Sequence, residues 1–170
     1  GMRSDFMDIY LAENCEFCIS CSCGFDVLAH VLRKPIATVE IPICIAHTYR
    51  NKHLMITMHH VLKKNNKELS LSEIFSHHVA LSLKTDEFHS KGVELKEPTD
   101  EEIKDIVIEM VERLDGTWQE KEVDKMLQDK FVKTFKSNLK TEDSKALHGE
   151  IKARFGAAFL RKNSWWVNRT

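Results

Sequence analysis

The stretch Ser20-Cys21-Ser22-Cys23-Gly24 has the residue types that hold a phosphate. The hydroxyls of Ser20 and Ser22 can donate to anionic oxygens, and Gly24 lets the backbone approach closely. The free N–H groups of a helix starting near Phe25 would point the same way and carry a partial positive charge. In an open parallel sheet such a turn, at the carboxyl end of a strand, is where ligands gather. The same residues also read as a tight strand-to-helix turn whose small side chains serve packing alone. Asp26, in the first helical turn, would repel a phosphate held there unless its carboxylate faces away.

Three bases, Lys34, His47 and Arg50, follow strands and could line the same cleft to neutralise phosphate, or they form a solvated basic loop. Glu40 ends a buried-type strand beside that cleft. Its carboxylate suits ribose hydroxyls or a base edge, or else a lysine. Cys15, Cys18, Cys21 and Cys23 have a spacing that suggests zinc or an iron–sulfur cluster. Thiolates must converge to ~2.3 Å from a metal, and Cys18 lies in a strand where neighbouring side chains diverge. Packing cysteines and no metal are therefore expected. His59-His60 and His77-His78 are adjacent pairs, which do not face one ligand, so solvated histidines are expected. No carboxylate pair and no Ser/His/Asp order identifies a catalytic residue, and Cys23 as a nucleophile lacks a base. Trp165-Trp166 reads as an anchor for packing or association.

The elements that would position these residues follow from periodicity and caps. Ser4 caps a first helix, with Asp5 and Asp8 in its first turn. A strand over Glu16–Ser20, the turn, a helix over Phe25–Arg33 and a strand over Ile36–Glu40 make a βαβ unit, and such units build parallel sheets. Pro35 bounds the helix and Pro42 stops the strand. A long loop over 41–53 precedes a strand over Leu54–Met58. The polar run Lys63–Glu68 reads as a turn. Ser70 or Ser72 caps a helix over Glu73–His78, and a short helix over Thr85–Ser90 is closed by Gly92. Val93–Glu97 alternates as a half-exposed strand. Thr99 and Glu102 form a capping box for a helix to Asp115, ended by Gly116. A long amphipathic helix carries Val123, Met126, Leu127, Phe131 and Phe135, and a last helix is expected over 151–162.

A chain of 170 residues suits one compact unit. We read residues 1–116 as a Rossmann-like core and 117–170 as a helical extension packed on it. The fold expected is a three-layer α/β domain with a mostly parallel sheet. With 25 basic and 26 acidic residues the net charge is -1, so no bulk field favours nucleic acid. No apolar run reaches the ~20 residues of a membrane span. Four of the five cysteines crowd into residues 15–23, which cannot build a disulfide framework and points to a reducing, cytoplasmic setting.

The segments Ser4–Leu11, Phe17–Ser20, Ser22–Asp26, Arg33–Ile36 and 149–160 resemble the C-terminal half of a bacterial glycosyltransferase family of surface-polysaccharide gene clusters. The serine- and glycine-bearing turn also resembles the donor loop of GT-B glycosyltransferases. The resemblance implies nucleotide-sugar binding, with the donor diphosphate on Ser20, Cys21, Ser22, Cys23, Gly24 and the Phe25 backbone, and the nucleoside near Glu40. It implies no cofactor beyond the sugar donor as substrate, and a cytoplasmic place, peripheral at the inner membrane. It further implies an acceptor domain bringing the catalytic base, supplied by a preceding segment or a partner chain. The reading from another class is a non-catalytic α/β interaction module that dimerises or docks a partner through its helical tail and Trp165-Trp166.

Overall fold

The computed structural model describes residues 4–22, 24–43, 52–139 and 152–169. Helix α1 (Asp5–Asn14) is capped by Ser4, whose Oγ accepts from the Met7 N–H at 3.3 Å. Strand β1 (Cys18–Ser20), helix α2 (Asp26–Val31) and strand β2 (Ile36–Ile41) form the expected unit, with Cys18 opposite Ile36 and Ser20 opposite Thr38 in parallel register. Strand β3 (Leu54–Thr57) continues the parallel sheet beside β2.

At Thr57 the chain leaves this sheet, because Thr57 Oγ1 and the Met58 N–H both donate to the Ile41 carbonyl, at 2.8 and 2.9 Å. It then enters a small antiparallel sheet of β4 (His59–Leu62), β5 (Lys67–Glu68) and β6 (Val93–Lys96), in the order β5-β4-β6. β4 has no counterpart in the sequence reading, because two histidines hide its strand character. The polar run Lys63–Glu68 is the hairpin turn plus β5. Helices α3 (Leu71–Ser76) and α4 (Thr85–Ser90) lie between β5 and β6. Ser70 and Thr99 each complete a capping box, with Glu73 and Glu102, and Thr99 opens α5 (Asp100–Leu114). α6 (Glu122–Asn138) follows.

The segment after residue 116 is not purely helical. Within the stretch read as one helix over 151–162, strand β7 (Arg154–Phe155) pairs in parallel with β3, and the sheet order is β1-β2-β3-β7. Helices α7 (Ala157–Lys162) and α8 (Ser164–Asn168) follow. The molecule is an α/β domain of Rossmann-like type with a helical C-terminal region, and that region supplies one strand of the sheet.

Alternate residues of β2, Ala37, Val39 and Ile41, share one buried cluster with Ile106 and Met110 of α5 and with Phe131 and Phe135 of α6. Trp166 is a member of this core. Its ring lies 5.2 Å from Phe155 and 5.9 Å from Phe159, centroid to centroid, so it serves packing within the chain and is not offered to a partner.

β7 is only two residues long, so its neighbours must satisfy its backbone. Arg154 and Gly156 donate to the carbonyls of His53 and Met55 across the sheet, at 3.0 and 2.9 Å. On the outer side the Phe155 N–H donates to Gln128 Oε1 of α6 at 3.0 Å. The Ala157 N–H donates to Glu109 Oε2 of α5 at 2.6 Å. Gly156 fits beneath α5, where an added Cβ would meet Ile56 Cγ2 at 3.2 Å. Gln128→Leu keeps the side-chain volume but strands a buried N–H, which costs about 1–3 kcal/mol. The expected readout is a lower urea midpoint at unchanged slope; a midpoint equal to that of the unsubstituted protein would contradict this role.

Candidate functional site

The turn after β1 stands at the carboxyl end of the parallel sheet. Ser20 is buried, and its Oγ accepts from the Ser22 N–H at 2.9 Å. Ser22 (φ 61) and Gly24 (φ 92) both take left-handed backbone. For Gly24 this is its natural use. A Cβ there would meet nothing within 4 Å, so conformation and not space selects glycine. Ser22 bears a steric cost of roughly 1 kcal/mol, which its bond to Ser20 offsets.

Asp26 does not face away from the turn. Its carboxylate is buried, and Oδ1 accepts from the Gly24 N–H at 3.1 Å. The Val27 and Leu28 N–H groups donate to the carbonyls of Gly24 and Phe25, at 3.2 and 3.1 Å. The amides of Ser22, Gly24, Val27 and Leu28 thus already have acceptors inside the protein. An anion reaching Gly24 must take the place of the Asp26 carboxylate.

Glu40 belongs beside this turn. It lies two residues past Thr38, the partner of Ser20, in left-handed backbone (φ 55), where the β2–β3 register shifts. Cys21 and Phe25 are exposed at the turn. Lys34 is not part of this group. Its N–H donates to the Ala29 carbonyl at 2.9 Å, and it precedes Ile36, the partner of Cys18, at the amino end of the sheet. Cys23, His47 and Arg50 lie outside the described residues. Among the described residues no group of three or more His, Cys, Asp or Glu side chains could hold a metal ion.

A second polar centre joins the small sheet to α5. The two ring nitrogens of His59 meet different carboxylates: Nδ1 bonds Glu68 Oε1, and Nε2 bonds Glu102 Oε2 at 3.0 Å. Glu102 Oε2 also accepts from the Thr99 N–H at 2.9 Å and from Thr99 Oγ1 at 3.0 Å, and Oε1 accepts from Asn163 Nδ2 at 3.1 Å. His59 separates the carboxylates, so the three groups bridge elements and do not converge on a point. The Glu102 and Glu68 hydrogen bonds raise His59 to about 9, against the opposing effect of burial. Burial pulls Glu102 upward, but the bonds from His59 and Thr99 outweigh it and hold the carboxyl at about 2. Burial lowers the neighbouring His60 to about 4. Its Nδ1–H donates to the Met58 carbonyl at 3.0 Å, and its Nε2 has no partner among the described residues. The solvated histidines expected at 59–60 are thus a charged bridge and a neutral buried ring. The capping box gave a sequence signal for Glu102, but nothing local points from it to His59.

A third polar group surrounds Arg113, which contacts Glu109 at 2.8 Å and Glu120 at 3.8 Å and lies over the Trp118 ring. Burial pushes the Glu109 carboxyl up, opposed by the Ala157 N–H and Arg113. A cavity of about 230 Å³ opens here, lined by Lys52, Leu54, Met110, Arg113 and Leu114. It lies at the amino end of β3, away from the Ser20–Phe25 turn.

No protein-family model, curated protein or solved structure matches this chain.

The two histidines bring opposite pH dependences to stability. Folding raises His59 from 6.5 to about 9, so its contribution is complete below pH 6.5 and is lost as pH rises through about 9. Folding lowers His60 from 6.5 to about 4, so stability falls as pH drops through that window. Urea unfolding across pH is expected to peak near pH 6.5. His59→Gln should cost about 1–3 kcal/mol at that peak by leaving the carboxylates without their cation, and should flatten the alkaline limb. An alkaline limb of undiminished slope in the variant would contradict the assignment.

Proposed function

We propose that this chain is the nucleotide-sugar donor-binding half of a GT-B-type glycosyltransferase that builds cell-surface polysaccharide. The acceptor domain and its catalytic base would come from another segment or a partner chain. The observation that carries the reading is the Ser20–Phe25 turn, with left-handed backbone at Ser22 and Gly24, leaving β1 at the carboxyl end of a parallel sheet. Glu40 is the next-to-last residue of the adjoining strand, two positions past Thr38, the partner of Ser20.

In this reading the donor diphosphate displaces the Asp26 carboxylate from the Gly24 N–H, exchanging one anion for another at the same donor. The Ser22 hydroxyl and the Gly24 N–H then stabilise charge as it builds on the leaving diphosphate. Asp26 acts as a stand-in that keeps the empty turn satisfied and lowers its affinity. Glu40 accepts from hydroxyls of the nucleoside. Bond breaking at the sugar needs the base from the acceptor side, so this chain binds the donor without transferring the sugar.

Titration calorimetry with UDP-, GDP-, dTDP- and CMP-sugars tests this directly. Weak binding of at least one donor is expected. Asp26→Asn keeps an acceptor for Gly24 but removes the like charge, worth about 1 kcal/mol even at the dielectric of bulk water, and should tighten that donor at least about five-fold. Silence from the whole panel in both proteins would remove the reading.

A further inference from the structure

The two edges of the parallel sheet are finished differently. At β7 the outward Phe155 N–H is taken by Gln128, and α6 lies along that side. At β1 no further strand pairs among the described residues, and the Ile19 carbonyl accepts a weak bond from the adjacent Cys18 Sγ at 3.6 Å. The Cys18 N–H bonds the Pro35 carbonyl at 2.9 Å, so in the alternation of a parallel ladder Ile19 turns its N–H and C=O to the open side. β1 carries none of the charges, prolines or bulges that keep an edge strand from pairing.

The helices beside this edge present apolar side chains to solvent. Phe6, Ile9 and Tyr10 of α1, Ile19 of β1, and Val27 and Val31 of α2 are each more than half exposed. α1 is turned so that Ala12 is buried while Phe6 and Tyr10 stack on its outer face, centroids 6.1 Å apart. α1 contacts α2, and α2 contacts β1, so the elements that carry these residues adjoin one another. At roughly 100 Å² for each large exposed side chain, these six offer on the order of 600 Å², most of the ~800 Å² that each partner buries in a stable complex.

We propose that this face is covered by a second copy of the chain. β1 pairs with its symmetry mate around Ile19, and the apolar surfaces of α1 and α2 close over the joint. Two-fold symmetry requires a patch that complements itself. The charges at its borders do so. α1 carries exposed Asp5 and Glu13 and no lysine or arginine, while Arg33 and Lys34 follow α2. The acidic α1 also argues against a phospholipid surface as the occupant, because anionic headgroups would repel it.

Light scattering and sedimentation velocity over a concentration series of the whole chain test the proposal. A dimer is expected. Val31→Asp, at a site 71% exposed, should weaken its dissociation constant by about ten-fold or more while leaving the circular dichroism unchanged. Ile19→Pro removes the outward N–H together with an apolar side chain of the face and should act in the same direction. A chain that remains monomeric throughout, or a dimer indifferent to Val31→Asp, overturns the proposal. So does a monomer that sediments with phosphatidylcholine or phosphatidylserine vesicles, which would assign the face to lipid.

Discussion

Four consecutive backbone N–H groups, from Arg154 to Ala157, each meet a different acceptor. Two are the carbonyls of His53, just before β3, and of Met55 within it, one is the Gln128 amide of α6, and one is the Glu109 carboxylate of α5. A strand of two residues gains too little from its own ladder to hold position. It stays because a buried N–H without an acceptor costs more than the bond itself returns. Through this segment the two long helices are tied to the sheet, and α7 starts directly above the joint. Arg161 adds an ion pair to the buried Asp124 of α6, and Lys162 one to Asp105 of α5 at 2.7 Å. Phe155, Phe159 and Trp166 then fill the space between. The C-terminal region is in this sense the clamp of the fold and not an appendage to it.

A similar principle joins the small sheet to the rest. His59 holds one carboxylate from its own hairpin and one from the first turn of α5, and Asn163 reaches the same Glu102 from the junction of α7 and α8. Buried charges of this kind bring little net stability over apolar packing, but removing one partner is costly. They fix which elements meet. Cores of interchangeable Leu, Ile and Phe do that less sharply.

Local features were legible in the sequence, and distant pairings were not. The caps at Ser4, Ser70 and Thr99 and the unit β1–α2–β2 depend on residues a few positions apart, and the structure bears them out. β7 escaped notice because Phe155 and Ala157 find their partners 27 and 48 positions away. Gly156 within an otherwise helical pattern was the one local hint. β4 escaped because its histidines read as surface residues until the carboxylates that hold His59 are known. At the glycine turn the sequence identified Asp26 as the residue that matters but not its direction. The bond to Gly24 across two positions sets that direction. Lys34 was grouped with the turn because it also adjoins a strand, but it adjoins the other end.

Among the described residues the parallel sheet therefore has one edge closed by side chains from its own helices and one edge to which no further strand pairs, with the glycine turn rising from that second edge. The closed edge is the part on which the position of everything else rests. Residue-resolved amide hydrogen exchange measures it most directly. The amides of Phe155 and Ala157 are expected to exchange only through global unfolding, at the rate set by the most protected positions of β3. Exchange at either amide as fast as in the first turn of α1 would contradict it.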